Sequence, residues 1–136
     1  MIAFFDTSAL IYLIEGKEPL ATRIRKELAA LAKKHPKLGA AVSRLTWLES
    51  RVGPMKSGDH ELLAAFDSFF ARPDLAWVEL SKEVVELAAV IRVSHGLRTP
   101  DALQAACCLQ LGPQHVFLSG DRAFRRVDRL NFRLLI

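Results

Sequence analysis

The most constraining feature of this chain is a recurring unit: a short run apolar on both faces, followed by a helix-start signal. Ile2–Phe5 is such a run, and it stops at Asp6-Thr7-Ser8. Ala40–Ser43 and Val116–Leu118 repeat it, the latter before the turn Ser119-Gly120-Asp121. A strand with one face in water alternates polar and apolar residues, whereas a strand covered on both faces does not. Such strands, separated by helical stretches, predict an α/β fold with a parallel sheet under helices.

The intervening stretches carry helical periodicity. Ala9–Glu15 reads as a short helix closed by Gly16, and Pro19 opens the next, with Leu20, Ile24, Leu28 and Leu31 on one stripe. Thr46–Val52 is a helix carrying Trp47 and Glu49, and Gly53–Gly58 reads as a mobile loop. Asp59 caps a helix whose face Leu62, Leu63, Phe66, Phe69 and Phe70 is generous for one small helix; most of it is expected in the core, with any surplus open to a partner's helix or a second copy of the chain. Leu75–Leu80 alternates as a strand. Val84, Leu87, Ala88 and Ile91 line a helix ending at Gly96. Thr99-Pro100-Asp101 combines a cap, a first-position proline and a first-turn acid. The helix it starts, Ala102–Leu111, is apolar nearly all round and therefore central. A short helix over Asp121–Val127 and a last strand, Phe132–Ile136, complete the pattern.

One domain, residues 1–136, is the expectation for 136 residues. With 51% apolar residues, 7 Gly and 6 Pro, disordered and collagen-like classes are excluded. No run reaches the length of a membrane span, and Ile2–Ile14 lacks the flanks of a signal peptide, so a cytoplasmic protein is expected. Cys107 and Cys108 are adjacent, which suits neither a disulfide nor a zinc site. His35, His60, His95 and His115 stand alone, without ligand spacing.

In a parallel sheet, ligands bind beyond the carboxyl ends of the strands. That rule selects Asp6 and Asp121, and with them Glu49 and Asp101, which start or follow the elements after the strands. Each has a structural use: Asp6 as a cap, Asp101 and Asp121 as first-turn acids, Glu49 as a surface residue. Together they point to more. Several carboxylates in one cleft repel one another and stay ionised only with a cation. Oxygen donors without His or Cys select Mg²⁺ or Mn²⁺. The net charge of +4 and pI of 9.4 suit a nucleic-acid partner. Arg122, Arg125, Arg126, Arg129 and Arg133 crowd the C-terminus, and Arg23, Arg25, Lys26, Lys33, Lys34 and Lys37 form a second basic group. An acidic centre in a basic protein is the charge layout of a metal-dependent nuclease.

The motifs carry a resemblance. Phe5-Asp6-Thr7-Ser8-Ala9-Leu10 is similar to the opening of PIN-domain proteins. Leu48-Glu49 resembles the family's second acidic position, Thr99–Ala106 its third, and Val116–Phe124 its fourth. The likeness spans the chain in order, and its compact length resembles a VapC-type toxin of a toxin–antitoxin pair. It implies a three-layer α/β/α sandwich around a central parallel sheet. It implies a Mg²⁺- or Mn²⁺-dependent endoribonuclease in which an activated water cuts RNA, leaving a 5′-phosphate and a 3′-hydroxyl. Asp6 and Asp101 would be metal ligands, Glu49 and Asp121 would complete the site, and Thr7 or Ser119 would position a ligand or water. Arg122, Arg125 and Arg126 would flank the acids and hold the RNA backbone. The implied partners are RNA, a small neutralising antitoxin and a second copy of the chain, with no membrane. In one departure, Gly120 stands where many members carry Asn.

Two alternatives remain within the resemblance: an RNA-processing nuclease without an antitoxin, and a catalytically silent RNA-binding module. A phosphoaspartate phosphatase is excluded, because it needs a second Asp two residues after the first, where this chain has Ser8.

Overall fold

A computed structural model describes residues 1–136. The elements run β1 (Ile2–Phe5), α1 (Thr7–Glu15), α2 (Leu20–Lys34), β2 (Gly39–Ser43), α3 (Arg44–Ser57), α4 (His60–Phe70), β3 (Leu75–Val78), α5 (Lys82–His95), α6 (Thr99–Leu109), β4 (His115–Ser119) and β5 (Phe132–Leu134), with a 3₁₀ turn at Arg122–Arg126 between the last two. All five strands are parallel, in the order β3-β2-β1-β4-β5.

The period-2 alternation of strand side chains sorts the core into two layers. Phe4, Ala41 and Phe117 face one way and pack with Val84, Ala88 and Ile91 of α5 and the buried residues of α6. Phe4 and Phe117 stack across the β1–β4 pair at 5.4 Å between ring centroids. Ala3, Phe5, Val42, Val116 and Leu118 face the other way and pack with α1, α2 and α4. The central strands β1, β2 and β4 are covered on both sides, as their apolar sequences require, whereas the edge strands expose Ala76 and Arg133; the result is the three-layer α/β/α sandwich.

The chain leaves β1 for β2 and β3 on one side, then returns to β4 and β5 on the other. The strand order therefore reverses between β1 and β4. The carboxyl ends of these two strands form the crevice where such folds bind ligands.

Local chemistry sets the helix starts. Asp6, Ser43, Asp59 and Ser81 each accept a backbone N–H of the following helix. α6 begins one residue earlier than the Thr99 cap predicts, with Arg98 as the flanking residue and no side-chain cap. The expected loop Gly53–Gly58 is instead the last turn of α3. Pro54 is buried within the helix, its carbonyl accepts the Asp59 N–H at 3.0 Å, and the helix ends only where Gly58 takes a φ of 67°. Packing of α3 on α4 overrides the local breaker signal. The α4 face has little surplus: Phe66 and Phe69 are buried, Leu62 and Phe70 are half-buried against the same core, and Leu63 is half-buried outside it. β3 and β5 are shorter than their sequence patterns suggest.

His115 is buried and saturated. Its Nε2 accepts the Asn131 N–H at 3.1 Å, so its Nδ1 carries the hydrogen and donates to the Gly112 carbonyl at 2.7 Å. Burial pushes both cysteine thiols well above their usual range, which leaves them unreactive.

Candidate active site

Asp6 leaves the end of β1 and is only 6% exposed. Its Oδ1 accepts the Ser8 hydroxyl at 2.7 Å and the Ala9 N–H at 2.9 Å, and its Oδ2 accepts the Ser119 hydroxyl at 2.5 Å. Three donors favour the charged form, yet the carboxyl is pushed up to about 6. Burial is the dominant cause, and the charge of Asp101 contributes least. The expectation that mutual repulsion raises this group is thus corrected: loss of water outweighs the neighbouring acid.

Ser119 ends β4 and joins the two strand ends. Its hydroxyl also accepts the Asp121 N–H at 3.0 Å. Asp121 in turn accepts the Ala123 N–H at 2.9 Å, which starts the 3₁₀ turn. Asp101 lies in the first turn of α6, and its carboxyl is raised by burial first and then by Asp121 and Glu49. Arg98 lies 3.7 Å from it and partly offsets that rise.

Glu49 is held by a polar network of which the sequence had singled out only Thr7. Thr7 donates to Oε1 of Glu49 at 2.7 Å. The Gln104 side chain, 3% exposed, donates to Thr46 at 2.9 Å, with longer contacts to Thr7 at 3.3 Å and Glu49 at 3.4 Å. Its carbonyl oxygen accepts the Ser43 hydroxyl at 2.8 Å, and Ser43 caps α3 by accepting the Thr46 N–H at 3.2 Å. The available signal was a single Gln inside the apolar stretch Ala102–Cys108.

The four acids therefore share one end of the sheet, with Asp101 between them: the charges of Asp121 and Glu49 reach its carboxyl, and its own charge reaches Asp6. They do not close into a ready-made cage, however, because no three of them converge as a group that could hold an ion. The prominent surface hollows, including one of about 460 Å³ beside Phe124 and Phe132, are lined by none of them. Of the four, only Asp101 has an ion-pair partner. What the acids do supply is donor chemistry: a buried carboxylate with no Lys or Arg partner, near three further acids and no His or Cys, offers only oxygen atoms, the donor type that suits a hard divalent ion.

Arg122, Arg125 and Arg126 are exposed on the 3₁₀ turn directly after Asp121. The Arg126 guanidinium donates to the Gly96 carbonyl at 3.4 Å, which links this turn to the loop before Asp101.

The family model described as PIN domain matches residues 3–130. No curated protein matches the sequence. Among solved structures, the chain is similar to VapBC2 from Rickettsia felis bound to a DNA fragment from their promoter, with 20% identity, 98% of each chain covered and a TM-score of 0.77. It is also similar to a toxin–antitoxin complex from Klebsiella pneumoniae, with 22% identity, 98% of each chain covered and a TM-score of 0.71. VapBC-1 from nontypeable Haemophilus influenzae gives 18% identity and a TM-score of 0.71, covering 99% of this chain and 98% of that one. At these identities the likeness concerns the fold.

Proposed function

The chain belongs to the PIN domain family, and from that premise we propose that it is a divalent-metal-dependent endoribonuclease acting as the toxin of a toxin–antitoxin pair. One observation carries the proposal. A buried Asp6 with no Lys or Arg partner sits at the β1–β4 switch point with Glu49, Asp101 and Asp121 around the same sheet end.

In this reading Asp6 and Asp101 hold Mg²⁺ or Mn²⁺, and Glu49 and Asp121 complete the site. A divalent ion there supplies water activation near neutral pH and charge neutralisation at the phosphate. The chain's own residues do the rest. Ser119 and Ser8 fix the Asp6 carboxylate, and Thr7 and Gln104 fix Glu49. A lone pair on each carboxylate remains for the cation. Arg122, Arg125 and Arg126 hold the phosphates that flank the cut, which leaves a 5′-phosphate and a 3′-hydroxyl.

The antitoxin and the homodimer belong to the same proposal, supported by the fold likeness to toxin–antitoxin complexes. No helix is long and apolar enough to cross a membrane. The test is incubation of the purified chain with total RNA, in chelator and in Mg²⁺ or Mn²⁺, with mapping of the ends. Metal-dependent internal cuts that vanish in Asp6→Asn and Asp101→Asn are expected. RNA left intact in both metals, under conditions where the protein is folded, overturns the activity. A chain that cuts RNA but neither pairs with nor is silenced by a small protein expressed beside it is an RNA-processing nuclease instead.

A further inference from the structure

The Ser119-Gly120-Asp121 turn carries one of the acids, and its middle residue is a glycine for reasons of space. Gly120 has no positive φ, so its backbone conformation is open to any residue. A Cβ built on it, however, would lie 2.9 Å from Cε2 and Cζ of Tyr12 and closer still to the phenol oxygen. No other glycine of the chain is crowded in this way. A side chain at position 120 and the Tyr12 ring compete for one volume.

Tyr12 lies on α1 one turn beyond Ser8, and residues four apart share a helix face. Ser8 already grips the turn, because its hydroxyl accepts the Gly120 N–H at 3.0 Å while donating to Asp6. The phenol feels the charges of both Asp6 and Asp121. One face of α1 therefore meets the turn twice, by the hydrogen bond that Ser8 accepts from Gly120 and by the phenol end of the Tyr12 ring packed where a Cβ would be.

We propose that Tyr12 is a positioning residue of this site: its ring, seated on Gly120, clamps the Ser119-Gly120-Asp121 turn to α1 and holds the Asp121 carboxylate among the other acids. The role in cation binding rests on the reading of the four acids as a metal site. The clamp itself does not. Two substitutions remove the same contact from opposite sides. Tyr12→Ala deletes the ring. Gly120→Ala evicts it, because the phenol is the free end of a side chain and can swing outward. Tyr12→Phe keeps the ring in place.

The experiment measures amide hydrogen exchange on the metal-free full chain, together with Mn²⁺ titration by calorimetry. The amides to follow are those of Gly120, Asp121 and Ala123, which bond to Ser8, Ser119 and Asp121 respectively. Tyr12→Ala and Gly120→Ala should each speed exchange there by about tenfold, with the amides of the other helices unchanged. Each should weaken Mn²⁺ binding by about tenfold, the size expected for a residue that orients a ligand. The double variant should be no worse than either single one, since both remove one contact. Tyr12→Phe should stay close to the wild type. Unchanged exchange at the turn in Tyr12→Ala, additive effects in the double variant, or a Phe variant as impaired as Ala overturns the clamp. If the wild type takes up no Mn²⁺ while exchange follows the expected pattern, the metal reading falls and the clamp stands. If Mn²⁺ binds and exchange does not respond, the reverse holds.

Discussion

The hydroxyl of Ser119 donates to Oδ2 of Asp6 at 2.5 Å, and it does so from the end of β4 to the end of the neighbouring strand β1. The same oxygen accepts the Asp121 N–H, so one serine fixes both the first acid and the turn that carries the last. With Ser8 and the Ala9 N–H on Oδ1, Asp6 has a full set of neutral donors and no cation. Neutral donors orient a buried carboxylate but do not repay the loss of its hydration.

The metal-free protein should lose stability as pH rises, and Asp6 should be a principal cause. Its folded carboxyl is raised to about 6 from an ordinary value of 3.8. The folded state therefore holds a proton that the unfolded state releases, and stability falls between about pH 4 and pH 6 by on the order of 3 kcal/mol. Asn can still cap α1 and accept from Ser8, but it carries no charge. In chelator, the melting temperature of Asp6→Asn relative to wild type should climb across that pH window and level off above it. A difference that does not change with pH makes Asp6 chiefly a helix cap.

The fold was legible because the three central strands are apolar on both faces and alternate with helical stretches, a combination that suits a parallel sheet covered by helices. Asp6 and Asp121 could be located for the same reason, since strand ends at the switch point collect ligands. Gln104 could not. Inside Ala102–Cys108 the eye follows the apolar residues, and one buried amide becomes meaningful only when Ser43, Thr46 and Thr7 arrive from three other elements. Tyr12 was hidden likewise, because its contact lies more than a hundred residues away at Gly120. Pro54 misled in the opposite direction: a helix breaker by local rule, it was overruled by packing that no local window contains. The cause of the raised Asp6 carboxyl was also out of reach, since the degree of burial is a property of the folded chain.

Gln104→Leu should cost about 1–3 kcal/mol of stability, because the Ser43 and Thr46 hydroxyls lose a partner in the interior. Urea denaturation reads this as a lower midpoint at constant slope. RNA cleavage should fall as well, but less than in Glu49→Gln, because Thr7 still holds Glu49 at 2.7 Å. Equal stability in Gln104→Leu and the wild type would show that the network contributes nothing to the fold.

Arg122→Ala combined with Arg125→Ala should weaken RNA binding and flatten its salt dependence by roughly two charges' worth of slope. Both side chains are exposed on the 3₁₀ turn that follows Asp121, so the fold and Mn²⁺ affinity should be unaffected. The measurement is RNA affinity over a salt series with Mn²⁺ titration as the control. An unchanged slope places the phosphates elsewhere.

Asp101→Asn should separate metal binding from folding most cleanly. Its carboxyl is raised by burial and by Asp121 and Glu49, so removing its charge relieves strain between like charges near neutral pH. It also removes a first-turn acid from α6 and the partner of Arg98, which together are worth about 1 kcal/mol or less at a partly exposed site. These effects oppose each other, so in chelator the variant should melt close to the wild type. Mn²⁺ at a hundredfold excess over its dissociation constant should stabilise the wild type by ~2.7 kcal/mol. The same Mn²⁺ concentration should stabilise Asp101→Asn by clearly less, because one oxygen ligand is gone. Paired thermal melts, in chelator and in Mn²⁺, decide the matter. An equal Mn²⁺ gain in both proteins removes Asp101 from the metal site, whatever RNA cleavage shows.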